Sequence, residues 1–163
     1  MISLRLHRDP LIFVVEDEIF YQKLIKANLN KFNFNKIKTF FSGEECLEKI
    51  SEKPDFLILD YQLSGKNGIE VLKEFKETSP DTHVIFLSGK REMDIANKSM
   101  EMGADSFIVK NNQSFQKIKQ RIHSLSSFNK LRQVRKITKM FLIGIAALVA
   151  TTIVLHSFYP DLF

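Results

Sequence analysis

The sequence predicts an α/β protein built on a five-stranded parallel sheet that is doubly wound, with helices on both faces. Two observations lead to this fold class. Short apolar runs rich in branched and aromatic residues, such as residues 11–15 (LIFVV), contain no polar residue, which is typical of strands buried on both faces. Segments with helical spacing follow these runs five times, and right-handed βαβ connections place such helices on both faces of the sheet.

The first half of the domain alternates strand and helix. Residues 11–15 form the first strand, and residues 19–31 carry apolar side chains at spacings of three and four, which predicts a helix. Residues 36–40 (KIKTF) alternate polar and apolar side chains, so this strand is expected nearer the edge of the sheet. Ser42 is expected to cap a helix that runs to residue 50, with Glu45 completing a capping box.

The second half repeats the alternation. Strands are predicted at residues 56–60, 83–87 and 106–109, and helices at 69–79, at 93–102 and from 114 onward. The pair Asn67-Gly68 is a turn signal before the first of these helices, and Pro80 ends that helix. Gly103 is expected to end the next one.

Length, charge and cysteine content exclude several classes of protein. The 163 residues suffice for one domain and an appendage. The formal charge of +5 resides in residues 130–139, which hold five basic residues and no acid, so the domain itself is nearly neutral. We therefore expect no nucleic-acid partner. A single cysteine, Cys46, excludes an intramolecular disulfide, and the first apolar run of five residues is too short for a signal peptide.

Charged residues follow three of the predicted strands. Glu16 and Asp17 follow the first strand, Asp60 ends the third, and Lys110 follows the fifth. Ligand sites of open parallel sheets lie at the carboxyl ends of the strands, so these side chains are expected to meet in one pocket. Three carboxylates and a lysine in one pocket are suited to phosphoryl transfer assisted by a divalent cation.

Four motifs, VVEDE, LILDYQLSGKNGIEVL, VIFLSG and GADSFIVK, occur in this order along the chain. With them, residues 10–125 resemble the receiver domain of two-component response regulators, which has a flavodoxin-like fold. The resemblance implies that Asp60 is the phosphoacceptor and that Lys110 and Ser88 contact the phosphoryl group. It implies that Phe107 is an aromatic switch residue. It also implies Mg²⁺ as cofactor, and its expected ligands are Glu16, Asp17, Asp60 and the backbone carbonyl of Gln62.

Two positions depart from the pattern of that family. Ser64 and Asn111 occupy sites where the family usually has proline, and the proline after the lysine often follows a cis peptide bond. The loss of this second proline, at Asn111, is expected to relax the turn that places Lys110. These departures support an alternative hypothesis, a receiver-fold adaptor that works without phosphorylation. A third hypothesis, an aspartyl phosphatase, is disfavoured because Gln62 lies where such enzymes carry a second acid.

The carboxyl-terminal part of the chain differs from the domain. Residues 126–139 form a basic linker, and residues 140–159 form an apolar stretch of 20 residues, about 30 Å of helix, which predicts a transmembrane helix. Basic residues precede this stretch, so the receiver domain is expected on the cytoplasmic side of the inner membrane, with residues 160–163 beyond it. Small residues within the stretch are compatible with a homodimer. Residues 1–9 are expected to be an extension.

The leading hypothesis is thus a membrane-anchored, single-domain response regulator. It is expected to receive a phosphoryl group on Asp60 from a histidine kinase or a histidine phosphotransfer protein and to signal by contact with another protein. No enzymatic activity on an external substrate is expected, only phosphorylation and dephosphorylation of the domain itself.

Overall fold

The computed structural model describes the backbone of residues 9–89 and 93–158. Within the last helix it describes the side chains of residues 114–127, 138 and 140–151. The chain divides into two units, residues 1–123 and residues 124–163. Most of the predicted extension at residues 1–9 and the whole predicted tail at 160–163 therefore lie outside the described residues.

The first unit alternates strands and helices as predicted. Its strands are β1 (Ile12–Val15), β2 (Ile37–Phe40), β3 (Phe56–Asp60), β4 (His83–Ser88) and β5 (Ser106–Val109). Its helices are α1 (Ile19–Lys31), α2 (Gly43–Glu48), α3 (Gly68–Thr78), α4 (Met93–Glu101) and the beginning of α5 (Ser114–Phe158). A short 3-10 helix, Ile50–Glu52, follows α2. Predicted and observed ends differ by two residues or fewer, apart from the last helix, for which no end was predicted.

The five strands form one parallel sheet in the order β2-β1-β3-β4-β5, which confirms the predicted fold class. Every residue of β1 and β3 is buried, because these strands lie inside the sheet and have helices on both faces. Strand β2 lies at an edge and is only partly buried, as its alternating sequence predicted. The central strands thus place their carboxyl ends side by side.

The cap of α2 differs in one detail from the prediction. The Ser42 hydroxyl accepts a hydrogen bond from the Glu45 N–H at 3.2 Å, as expected for an N-cap. The Glu45 carboxylate accepts a bond from the N–H of Phe41 and not from that of Ser42, so the predicted reciprocal bond of the capping box is shifted by one residue. The helix also ends at Glu48, earlier than predicted, and continues as the 3-10 helix.

A complete capping box occurs instead at the start of α3. The Asn67 side chain accepts bonds from the N–H groups of Ile69 and Glu70, and the Glu70 carboxylate accepts from the Asn67 N–H. Gly68 follows this cap and lies against the end of β3. A Cβ atom at Gly68 would collide with the carbonyl oxygen of Asp60 and the Cα of Tyr61. Only glycine therefore permits α3 to start so close to Asp60.

The second unit, residues 124–163, is helical as far as residue 158. Its described side chains from Met140 to Thr151 are all exposed and uncharged. Over the part of the chain that the structure describes, no helix has both the length and the apolar character needed to cross a membrane. The predicted span at residues 140–159 extends beyond that part, because the side chains of 152–158 and the whole of residue 159 lie outside it.

We expect Gly68→Ala to destabilise the protein, because the added Cβ would meet backbone atoms that cannot move aside cheaply. The loss in free energy of unfolding should be about 1–3 kcal/mol, the usual cost of overpacking, and should outweigh the gain in helix propensity. Urea denaturation followed by circular dichroism measures it. Gly89→Ala is the matched control, since a Cβ there meets nothing within 4 Å. Equal stability of the two variants would contradict the tight approach at Gly68.

Candidate functional site

The site lies at the carboxyl edge of the sheet, where β1, β3, β4 and β5 end together. Register pairs Val15 with Leu59 and Asp60 with Leu87, so the residues that follow β1 lie beside the end of β3. The N–H of Lys110 donates to the Ser88 carbonyl at 2.8 Å, which fixes the start of the loop after β5. The predicted convergence of charged residues at this edge is confirmed.

Lys110 joins two of the carboxylates. Its ammonium lies 2.7 Å from the Glu16 Oε2 and 2.9 Å from the Asp60 Oδ2. Glu16 and Asp60 are almost completely buried, with 1% and 3% of their surface exposed. Buried carboxylates require partners, and a single lysine side chain supplies one to both.

The buried environment raises the pKa of both carboxyl groups. Desolvation raises the pKa of Glu16 to about 7, the Lys110 hydrogen bond opposes the rise, and the nearby Asp60 charge adds to it. Desolvation also raises the pKa of Asp60, against the Lys110 hydrogen bond and charge. The N–H of Tyr61 donates to the Asp60 Oδ1 at 2.9 Å and favours its ionised form. Glu16 therefore titrates near neutral pH.

Lys110 stays charged in this pocket. Burial alone would lower the pKa of Lys110, but the hydrogen bonds and charges of Glu16 and Asp60 outweigh burial and raise it. Its ammonium also lies 4.5 Å from the centroid of the Tyr21 ring, a cation–π contact. Tyr21 in turn lies within hydrogen-bond distance of the Ser114 hydroxyl, 3.2 Å away.

Three carboxylates are close enough to share one cation. One oxygen each from Glu16, Asp17 and Asp60 lies within 4.8 Å of the others. Oxygen ligands of this kind suit Mg²⁺, which combines a few carboxylates with water and phosphate oxygens. The set therefore fits the predicted cofactor. Gln62 lies in the exposed loop after β3, and its carbonyl remains a prediction as a fourth ligand.

Asp17 is held by a residue that the sequence marked only as a departure from the family. The Ser64 N–H and hydroxyl donate to the Asp17 Oδ2 at 3.0 and 2.8 Å. Asp17 itself is partly exposed. Its carboxylate therefore stands at the mouth of the site, whereas those of Glu16 and Asp60 lie inside.

Ser88 and Phe107, the expected phosphoryl contact and switch residue, lie in the neighbouring strands β4 and β5. Ser88 is buried at the end of β4, next to Val109 in the sheet register. Phe107 is partly buried in β5 and stacks on Phe86, with ring centroids 6.2 Å apart. Phe86 also contacts the ring of Tyr61, the residue after Asp60. Aromatic rings thus connect the loop after β3 to Phe107.

Asn111 shapes the turn after Lys110 by hydrogen bonds, where a proline would do so by its ring. Its side-chain oxygen accepts from the Gln113 N–H at 2.9 Å, an Asx turn. Its carbonyl accepts from the N–H and the hydroxyl of Ser114. The described residues contain no cis peptide bond. The expected relaxation of this turn is thus opposed by three local hydrogen bonds.

Sequence reasoning missed two residues that support the site. Tyr21 contacts Lys110 as described, and the buried amide of Gln22 donates to the carbonyls of Glu16 and Phe40. These bonds hold the chain where it leaves β1. No local pattern in the sequence marks them, and only the packing of α1 shows that they face the site.

Comparisons with known proteins agree with this geometry. A family model described as the response regulator receiver domain matches residues 12–123. The PhoB phosphate regulon regulator of Rhizobium meliloti is 34% identical over 105 residues, which cover 62% of this chain and 45% of that protein. The chemotaxis protein CheY of Thermotoga maritima is 28% identical over 100 residues, which cover 61% of this chain and 83% of that protein.

A solved structure shows the same likeness. The BeF3-activated receiver domain of DrrB has a TM-score of 0.66 and 28% identity, and the match covers 72% of this chain and 97% of that one; DrrB is a Thermotoga maritima protein. The match to transcriptional regulators is partial, since the aligned part covers 45% of PhoB and 41% of the Bacillus subtilis regulator PhoP.

The raised pKa of Glu16 predicts how stability depends on pH. The folded protein retains a proton that the unfolded chain releases above about pH 4.5, so the contribution of Glu16 is fully present below that pH and is lost as pH rises through about 7. We therefore expect Glu16→Gln to be more stable than wild type at pH 8, by roughly 1–3 kcal/mol. The difference should shrink towards pH 5.

Urea denaturation in EDTA at pH 5 and pH 8 measures this difference. Glu48→Gln, which removes an exposed carboxylate outside the site, is the control and should show no such change with pH. A Glu16→Gln variant that is less stable than wild type at both pH values would contradict the prediction.

Proposed function

The chain belongs to the response regulator receiver domain family, and from that membership we propose that it accepts a phosphoryl group on Asp60. The donor is a histidine kinase or a histidine phosphotransfer protein. The observation that carries this proposal is the buried pair of Asp60 and Lys110, with Glu16 and Asp17 around it. These are the groups that transfer to a carboxylate requires.

In the transfer, a carboxylate oxygen of Asp60 attacks phosphorus as the bond from phosphorus to the donor's imidazole nitrogen breaks. The imidazole keeps the electron pair of that bond, and the product is an acyl phosphate. Lys110 favours the ionised form of Asp60 before attack and is placed to pair with the phosphoryl oxygens afterwards. The group that accepts the phosphoryl group is a side chain of the protein itself, so we propose no activity on an external substrate.

Glu16, Asp17, Asp60 and the Gln62 carbonyl would hold Mg²⁺. Bound there, the cation would neutralise charge that otherwise repels an incoming phosphoryl group. The chain's own contribution is to keep three carboxylates close together, although they repel one another. Lys110 makes this possible for the two that are buried.

The signal would pass from the site through Ser88 and Phe107. Ser88 lies at the end of β4, where its hydroxyl is suited to donate to a phosphoryl oxygen, and Phe107 lies in the neighbouring strand. Movement of one would alter the packing of the other and change the surface around α4 and β5. We propose that a partner protein recognises that surface.

We also propose that residues 140–159 attach the chain to the inner membrane, with the receiver unit on the cytoplasmic side. The support is the uncharged sequence of this stretch, the basic residues before it, and the exposure of its described side chains. Met140 and Phe141, for example, are 74% and 70% exposed. Exposure of these apolar side chains to water is unfavourable, and contact with lipid would remove it.

Phosphorylation is tested by incubating the full chain with acetyl phosphate and Mg²⁺ in a mild non-ionic detergent. Mass spectrometry of the intact protein then measures the phosphoryl group gained. We expect one phosphoryl addition in wild type, none in Asp60→Asn and none in EDTA. Asp81→Asn, which changes an exposed aspartate in a turn, is the matched control and should be phosphorylated like wild type. A folded wild type that gains no phosphoryl group from acetyl phosphate or from a histidine kinase would favour the phosphorylation-independent adaptor.

Membrane attachment is tested by carbonate extraction of membranes from cells that produce the full chain. Wild type should stay in the pellet, and the double variant Ile145→Asp, Leu148→Asp should move largely to the supernatant, because charges in a span cost about 3 kcal/mol each. Met100→Asp is the control, since it places a charge on an exposed apolar residue of the first unit. Wild type in the supernatant would refute the anchor.

A further inference from the structure

We propose that Ser64 is a positioning residue that orients the carboxylate of Asp17 and thereby raises the affinity of the site for a divalent cation. The inference rests on the proposed function, because it concerns the cation site of the same receiver unit. It assigns a role to a residue that replaces the proline usual in the family, and proline could supply neither of the two hydrogen bonds involved.

The first observation is that both donors of Ser64 converge on one atom. Its N–H and its hydroxyl lie 3.0 and 2.8 Å from the Asp17 Oδ2. Hydrogen bonds to an ionised acceptor are the stronger kind, and two from one residue fix a direction as well as a distance. The second oxygen of Asp17 then keeps its lone pairs for a cation.

The second observation is that Asp17 needs such a restraint. Lys110 forms ion pairs with Glu16 and Asp60, and among the described residues no ion pair to Asp17 occurs. The charge of Asp17 repels that of Asp60, and the effect is visible as a contribution to the raised pKa of Asp60. Since Asp17 is partly exposed, its side chain could relieve the repulsion by turning outward. Ser64 opposes this rotation.

The third observation is that the loop around Ser64 is itself anchored. The N–H of Lys66 donates to the Glu44 Oε1 at 3.0 Å, and the Lys66 ammonium pairs with Glu74 at 2.6 Å. Gly65 adopts a φ of +89°, a conformation that favours glycine. A carboxylate of α2 and one of α3 thus hold the loop in which Ser64 presents its donors.

The experiment compares Mn²⁺ affinity of full-length variants in non-ionic detergent, measured by the loss of the free Mn²⁺ signal in electron paramagnetic resonance. We expect Ser64→Ala to bind about threefold to tenfold more weakly, the range for the net contribution of one typical hydrogen bond. Ser64→Thr keeps the hydroxyl and should bind within about twofold of wild type. Ser51→Ala, which changes an exposed serine of the 3-10 helix that precedes β3, at the opposite end of that strand from Asp60, is the matched control and should not change affinity.

Two further measurements distinguish an effect of Asp17 orientation on Mn²⁺ affinity from a general loss of stability. Asp17→Asn should abolish most binding, and the melting temperature of Ser64→Ala in EDTA should equal that of wild type. Wild-type affinity in Ser64→Ala would overturn the inference, and tighter binding would show that Ser64 competes with the cation. If Ser64→Ala binds Mn²⁺ weakly and melts at a lower temperature, and Ser64→Thr does not restore binding, Ser64 has a general structural role. That outcome would also overturn the inference.

The Mn²⁺ measurements also distinguish a failure of the proposed cation site from a failure of the proposed role of Ser64. If wild type and Asp17→Asn both bind no Mn²⁺, the cation site fails and the inference fails with it. If wild type binds, Asp17→Asn does not, and Ser64→Ala equals wild type, the site stands and only the role of Ser64 is lost.

Discussion

The ion pairs of Lys110 with Glu16 and Asp60 are the constraint on which the rest of this receiver unit depends. Lys110 pairs with both buried carboxylates, so removal of its ammonium would leave two buried negative charges uncompensated. The set also joins the ends of β1, β3 and β5, which are distant in sequence. The ion pairs that hold these strand ends together therefore also give the geometry that phosphoryl transfer needs.

The loops around this set use hydrogen bonds where related domains use proline. Asn111 organises the turn after Lys110 through its side chain and carbonyl, and Ser64 holds Asp17 from the loop after β3. Such bonds can break and re-form at modest cost, whereas a proline ring fixes the backbone permanently. Ion pairs of Lys110 thus hold the buried half of the site, and hydrogen bonds of Ser64 hold Asp17 at its mouth.

A second link extends from the lysine to the last helix. Tyr21 lies between Lys110 and Ser114, in contact with the ammonium through its ring and near the serine hydroxyl through its own. Ser114 begins α5, the helix that leads out of the receiver unit. A displacement of the Lys110 ammonium would therefore alter the contacts of Tyr21 and Ser114 at the start of α5.

The sequence by itself determined the element types and their order, because strand and helix periodicity are local properties: β3 at Phe56–Asp60 and α1 at Ile19–Lys31 were predicted to the residue. It also placed Glu16, Asp60 and Lys110 at one edge, since a parallel sheet aligns its carboxyl ends. It did not assign the complete capping box to Asn67 and Glu70, where the pattern was interpreted as a turn. Only the tertiary structure decided that Ser64 holds Asp17 and that Tyr21 contacts Lys110. Those partners lie 47 and 89 positions apart, and strand order, register and helix packing bring them together without leaving a local pattern.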